Sequence, residues 1–148
     1  MLWGQWMTLE NLKNLVKIGE LNEEPVDKKE FEGLIALASD RLNDVLDGNL
    51  SYASRFDLTY NAAHALALAA LRYHGYRSDK RYLVFQCLPH TLEISKSKTK
   101  IFSLCHDRRN LAEYQGHLDI DDQLLEELIS ITKELLVSVE AMGPVSQN

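Results

Sequence analysis

Apolar residues recur along this chain at spacings of three and four, which predicts helix nearly throughout. Leu9, Leu12, Leu15 and Val16 predict a short amphipathic helix, with Thr8 as its N-cap and Gly19 just past its end. Leu21 to Pro25 is acidic, ends in proline and reads as a linker. Asp27 with Glu30 three residues on has the form of a capping box. Phe31, Leu34, Ile35, Ala38, Leu42, Val45 and Leu46 then mark one face of a helix that Gly48 ends. Ser51 or Ser54 caps the next helix, which runs to His74 and stops at Gly75. Its centre, from Ala62 to Leu71, is apolar nearly all round and predicts a buried, central helix. Lys80 to Leu88 predicts a short helix ended by Pro89, and the stretch from His90 to Lys100 reads as polar and irregular. Thr99 caps a helix in which Ile101, Leu104, Cys105, Arg108, Leu111 and Ala112 share one side, and Gly116 closes it. Asp119 and Asp122 suggest the cap of a last helix carrying Leu124, Leu125, Leu128, Ile131, Leu135, Leu136 and Val139 before Gly143-Pro144. No strand pattern and no internal repeat emerges.

The fold class this predicts is all-α: an antiparallel four-helix bundle with one or two short additional helices. The chain divides into an N-terminal short helix and linker (1–26), the helical bundle (27–142) and a fraying C-terminus (143–148). At 148 residues it is long enough for one domain with a real core. No apolar run approaches the roughly 18 residues needed to span a membrane. The start, from Met1 to Met7, is apolar but lacks the positive region and cleavage site of a signal peptide, and Met7 is an alternative first residue. Trp3 and Trp6 read as a docking or fraying end.

Charge changes the picture only locally. The net charge of −6 argues against a general affinity for nucleic acid. From Arg72 to Arg109, however, nine Lys/Arg stand against three acids, which permits a basic patch on an acidic body. The lysines of Lys96 to Lys100 read more simply as a solvated loop. Cys87 and Cys105 have no C-x-x-C spacing and read as reduced, buried thiols of a cytoplasmic protein. The five histidines form no H-x-x-x-H or E-x-x-H pair, so neither a metal nor another cofactor is expected. His64, in its apolar helix, reads as a core or interface residue.

The densest chemistry lies between Cys105 and Tyr114. On a helix Arg109 faces Glu113 and Asn110 faces Tyr114, while Arg109 and Tyr114 are about 140° apart around the axis. Arginine carries a rigid fork of donors suited to phosphate. Asn110 can bond a base, a ribose or facing backbone, and Tyr114 can stack or donate. The plainer reading is an i,i+4 ion pair and a helix-joining asparagine.

Arg109-Asn110 followed by Tyr114, on a late helix of a small bundle, resembles the HEPN domain superfamily (higher eukaryotes and prokaryotes nucleotide-binding). The alanine-rich helix ending in His74-Gly75-Tyr76 agrees with this, as does the acid-capped helix before it. The resemblance covers roughly residues 27–139. It implies a homodimer in which two such helices build one composite cleft for RNA or a nucleotide. Arg108 and Arg109 would contact phosphate and Asn110 would position it. It also implies a metal-independent ribonuclease, a role in a toxin–antitoxin or defence-type system, and a nucleotidyltransferase-type partner protein. Tyr114 stands where the family has histidine, and a phenol with a pKa near 10 is a poor general base at neutral pH. His117 lies three residues further on, and His106 three residues before Arg109. The alternative, from a different class, is a catalytically silent helical protein whose motif helix is a dimer or partner surface.

Overall fold

The computed structural model describes residues 2–145, with side chains from residue 10 onward. The chain is all-α apart from one two-residue strand pair. In order it forms α1 (Leu2–Lys17), β1 (Asn22–Glu23), α2 (Lys28–Val45), α3 (Tyr52–Tyr73), β2 (Tyr76–Arg77), α4 (Arg81–Gln86), α5 (Leu88–Thr91), α6 (Lys96–Gln115) and α7 (Asp122–Glu140).

Contacts at the helix ends fix the directions. Arg72, near the end of α3, bonds Glu30, in the first turn of α2, so these two helices run antiparallel. Arg55 meets Glu126 at the starts of α3 and α7, and Tyr73 donates to the Met142 carbonyl beyond their ends, so α3 and α7 run the same way. Lys98 near the start of α6 reaches Glu134 in the second half of α7, so α6 runs against both. The core lies around α3, which buries Phe56, Tyr60, Leu66 and Leu71 against Leu42 and Val45 of α2 and Leu125 and Leu128 of α7. Each such side chain contributes roughly 1.5–3 kcal/mol of burial. The alanines of α3 leave short side chains between backbones, and Ala62, Ala63, Ala69 and Ala70 are fully buried.

Several local expectations change. Backbone helix begins at Leu2, so Thr8 lies inside α1 and not at its N-cap position. The side chains of Trp3 and Trp6, like residues 146–148, lie outside the described residues. Leu21 to Pro25 is more than a linker. Leu21 is buried, and Asn22 and Glu23 pair with Arg77 and Tyr76 across an antiparallel ladder that sequence patterning missed, because two residues are too few to alternate. Pro89 does not end a helix. It opens α5, where its missing N–H and fixed φ are tolerated. The lysines from Lys96 to Lys100 form the first turns of α6, because Ser95 rather than Thr99 is the N-cap: its hydroxyl accepts from the Lys98 N–H at 3.3 Å. Thr99 instead donates back to the Ser95 carbonyl. The last helix is capped by Asp121, which accepts from the Leu124 N–H at 2.8 Å, and not by Asp119 or Asp122.

Other caps match the sequence reading. Asp27 accepts from the Glu30 N–H at 3.1 Å, and Ser51 from the Ser54 N–H. Gly116 ends α6 at φ +76, a left-handed conformation that favours glycine.

Much of the basic excess is taken up by ion pairs within the fold. Arg72 is only 2% exposed and bonds Glu30, the Pro25 and Glu24 carbonyls and the Tyr76 carbonyl. Arg77 bonds Glu24 at 2.7 Å and also Glu30. Lys80 pairs with Glu20, Lys98 with Glu134 and Arg108 with Asp119. Acids from outside the counted segment thus pair with five of its nine cations within 3.2 Å, and Arg81, Lys96, Lys100 and Arg109 have no carboxylate that close among the described residues.

Candidate functional site

The buried face of α6 is Thr99, Phe102 and Cys105, not the stripe that linked Leu104, Arg108 and Leu111. Phe102 decides this rotation: it stacks on Phe85 of α4 with ring centroids 5.5 Å apart and planes 2° off parallel. Leu104 and Leu111 are therefore turned outward, 40% and 45% exposed. The next positions along the inner face are His106 and Arg109, and both turn toward α3.

There they meet Tyr60, whose ring is fully buried. The Tyr60 hydroxyl lies 2.8 Å from His106 Nδ1, and Asn110 Nδ2 lies 3.1 Å from His106 Nε2. One neutral tautomer satisfies both contacts: Nε2 accepts from the amide and Nδ1–H donates to the phenol oxygen. Burial, outweighing the nearby Asp107, lowers the His106 pKa, with the charges of Arg109 and Arg81 adding to it. Tyr60 is held protonated, since burial raises its pKa against the pull of Arg81 and Arg109.

Two guanidiniums share the Tyr60 ring. That of Arg109 lies 5.1 Å from the ring centroid and that of Arg81, from α4, lies 5.6 Å from it. Arg81 also donates to Asn61 Oδ1 at 3.0 Å. The nearest carboxylate to Arg109 is Glu113 at 3.7 Å, a loose i,i+4 pair. Arg81 has no carboxylate partner among the described residues within the 4.0 Å that defines an ion pair. His64, edge-on to Phe85, lies in the same field. Burial, then the charges of Arg81, His106, Arg109 and Arg41, push its pKa down to about 4.

Beside this cluster lies an open cleft of about 440 Å³, lined by Asp57, Asn61, Arg109, Glu113 and His117 among others. The cleft places His117 and Arg109 on one concavity between the end of α6 and the start of α3. Such an arrangement offers a forked cation, one amide and a histidine to an anionic ligand, beside the carboxyl groups of Asp57 and Glu113.

The residues singled out by sequence are thus divided. Arg109 and Asn110 sit in the cluster. Asn110 turns back to His106 instead of toward Tyr114, which is 88% exposed. Arg108 faces the other way, bonding Asp119 at 2.8 Å beside a second cleft between α6 and α7. Cys105 and Cys87 are buried thiols with pKa values pushed up by burial to about 12 and about 11, so neither is a thiolate nucleophile. Sequence reasoning missed Tyr60, Asn61 and Arg81, which come from other helices. The i,i+4 spacing of His106 and Asn110 was the one local signal for that bond.

Among the described residues, no group of three or more His, Cys, Asp or Glu side chains could hold a metal ion, and no helix is long and apolar enough to cross a membrane. In comparisons with protein families, curated proteins and solved structures, nothing matches the chain.

Proposed function

We propose that the protein is a HEPN-like RNA- or nucleotide-binding protein that acts as a homodimer, with Arg109 as its phosphate-binding group and Asn110 as a positioning amide. The observation that carries this reading is the state of Arg109: held over the Tyr60 ring at the rim of a cleft, yet only loosely paired with Glu113. A cation fixed by packing but not neutralised is available to an anion. The His106–Asn110 bond keeps the amide beside it. A toxin–antitoxin or defence-type role, and a nucleotidyltransferase-type partner, follow from the family resemblance alone. Metal-independent ribonuclease activity, for which Tyr114 is a poor substitute for histidine, is the least supported part of the reading.

The dimer draws on the outward face of the same helix. Leu104, Leu111 and Tyr114 are three large exposed side chains on α6, and a second copy would cover them. This strip equally favours a second reading, a catalytically silent protein that uses α6 as a docking surface. Purified wild type, Arg109→Ala and Tyr114→His separate the two when assayed for single-stranded RNA binding and cleavage. The first reading expects binding that Arg109→Ala abolishes, and cleavage gained by Tyr114→His would mark a site that has lost its histidine. Equal behaviour of wild type and Arg109→Ala would sink the cleft. Light scattering on the same samples tests the dimer, and a strict monomer removes the composite site.

A further inference from the structure

The arginines of this chain fall into two sets. Arg55, Arg72, Arg77 and Arg108 each have a carboxylate oxygen within 3.3 Å. Arg41, Arg81 and Arg109 have none that close, and of these Arg81 and Arg109 are the two whose guanidiniums lie on the same buried ring. They come from different helices, α4 and α6, clamped together by the Phe85–Phe102 stack and by the bond from Gln86 to Ser103 at 2.6 Å. The fold therefore sets two cations against one ring, and among the described residues the only carboxylate within 4.0 Å of either is Glu113, 3.7 Å from Arg109. Local helix geometry does not demand this, because the buried residues of α4 are Val84 and Phe85 and not Arg81. Asn61 orients Arg81 through an oxygen that carries no net charge and so leaves its positive charge uncompensated.

We infer that Arg81 and Arg109 jointly bind one phosphate-bearing ligand, with the Tyr60 ring as the floor beneath both guanidiniums and Asn61 as the group that orients Arg81. The inference rests on the reading of the cleft as an RNA- or nucleotide-binding site and deepens it by adding Arg81, which does not line the cleft itself but shares the Tyr60 ring with Arg109 and is held by Asn61 of the cleft wall. It also makes the phosphate contact complete within one chain, so the dimer is not required for it.

The test is a fluorescence-anisotropy titration of a labelled, short single-stranded oligoribonucleotide with wild type, Arg81→Gln, Arg81→Lys, Arg109→Gln and Arg55→Gln. Arg81→Gln and Arg109→Gln are each expected to weaken binding about tenfold or more and to lower the salt slope by about 0.7. Arg81→Lys keeps the charge without the fork and is expected to fall between wild type and Arg81→Gln. Arg55→Gln, at a carboxylate-paired arginine, binds as wild type. Unfolding in urea checks that every variant is folded, and Arg81→Lys carries the test if Arg81→Gln is not. Competition with adenosine monophosphate and with inorganic phosphate separates a mononucleotide from a polynucleotide as the source of the phosphate. If Arg81→Gln binds as wild type while Arg109→Gln is weakened, the joint site is wrong and the wider reading stands. If wild type binds neither the oligoribonucleotide nor the competitors, both fall.

Discussion

Arg72 and Arg109 differ in how far the fold itself uses the donors of an arginine. Arg72 sits at the end of α3, almost wholly buried, with its donors spent on Glu30 and three backbone carbonyls that tie β1 to β2. Arg109 is half-buried over an aromatic ring, with one distant carboxylate. The first is a closed set of bonds in which each partner depends on the others. The second is a charge positioned by packing and left unfinished. Burial alone does not separate the two cases; the completeness of the bonding does.

The comparison can be broken most sharply at Arg72. Arg72→Ala strands three carbonyls and leaves Glu30 with Arg77 alone, and is expected to cost about 3 kcal/mol of unfolding free energy, the lower end for a broken buried pair because Glu30 keeps Arg77 and some water. Urea denaturation measures it, and a loss under about 1 kcal/mol would mean that the clamp is ornamental.

The two regions should also fail at different pH. Burial raises the Glu30 pKa, but its bonds to Arg72 and Arg77 outweigh this and hold the carboxyl below its ordinary value. Its stabilisation is present above the usual 4.5 and is lost as pH falls through the lowered value. His64 acts higher: the unfolded chain takes up a proton near 6.5 while the folded chain resists until about 4. Stability therefore declines as pH falls across that window, with a slope approaching about 1.4 kcal/mol per pH unit. His64→Gln should flatten this limb without abolishing it, because His74, His90 and His106 shift in the same direction. Glu30→Gln should leave it intact and reduce the pH dependence below 4.5. Unchanged slopes in both variants would remove the separation.

A smaller effect is expected at Gly75, which has φ +85 and whose carbonyl oxygen accepts from the Glu24 N–H at 2.9 Å. Gly75→Ala puts a side chain in left-handed backbone and should cost about 1–2 kcal/mol by thermal unfolding, since the added Cβ meets only ordinary contacts. Smallest of all is Arg109→Ala, whose cation–π contact and loose ion pair are together worth about 1 kcal/mol or less.

The helices were legible because each carries its own signal. The apolar periodicity marks α2, α3 and α7, and Asp27, Ser51 and Gly116 mark ends that the structure keeps. What failed was anything decided between helices. The face of α6 turns on the Phe85–Phe102 stack, and no count along α6 alone can see Phe85. The neutralisation of Arg72 and Arg77 depends on Glu24 and Glu30, more than forty positions away in sequence. The site was legible only in part for the same reason. Arg109 and Asn110 stand together in the chain, whereas Tyr60, Asn61 and Arg81 reach them only through the packing of α3 and α4.

The central claim is that Arg109 is held for a ligand and not for the fold. The direct measurement takes wild type and Arg109→Ala and determines, on the same preparations, the affinity for single-stranded RNA and the unfolding free energy. The account predicts affinity reduced at least about tenfold with stability within about 1 kcal/mol of wild type. Unaltered affinity, or a stability loss as large as that of Arg72→Ala, would contradict it.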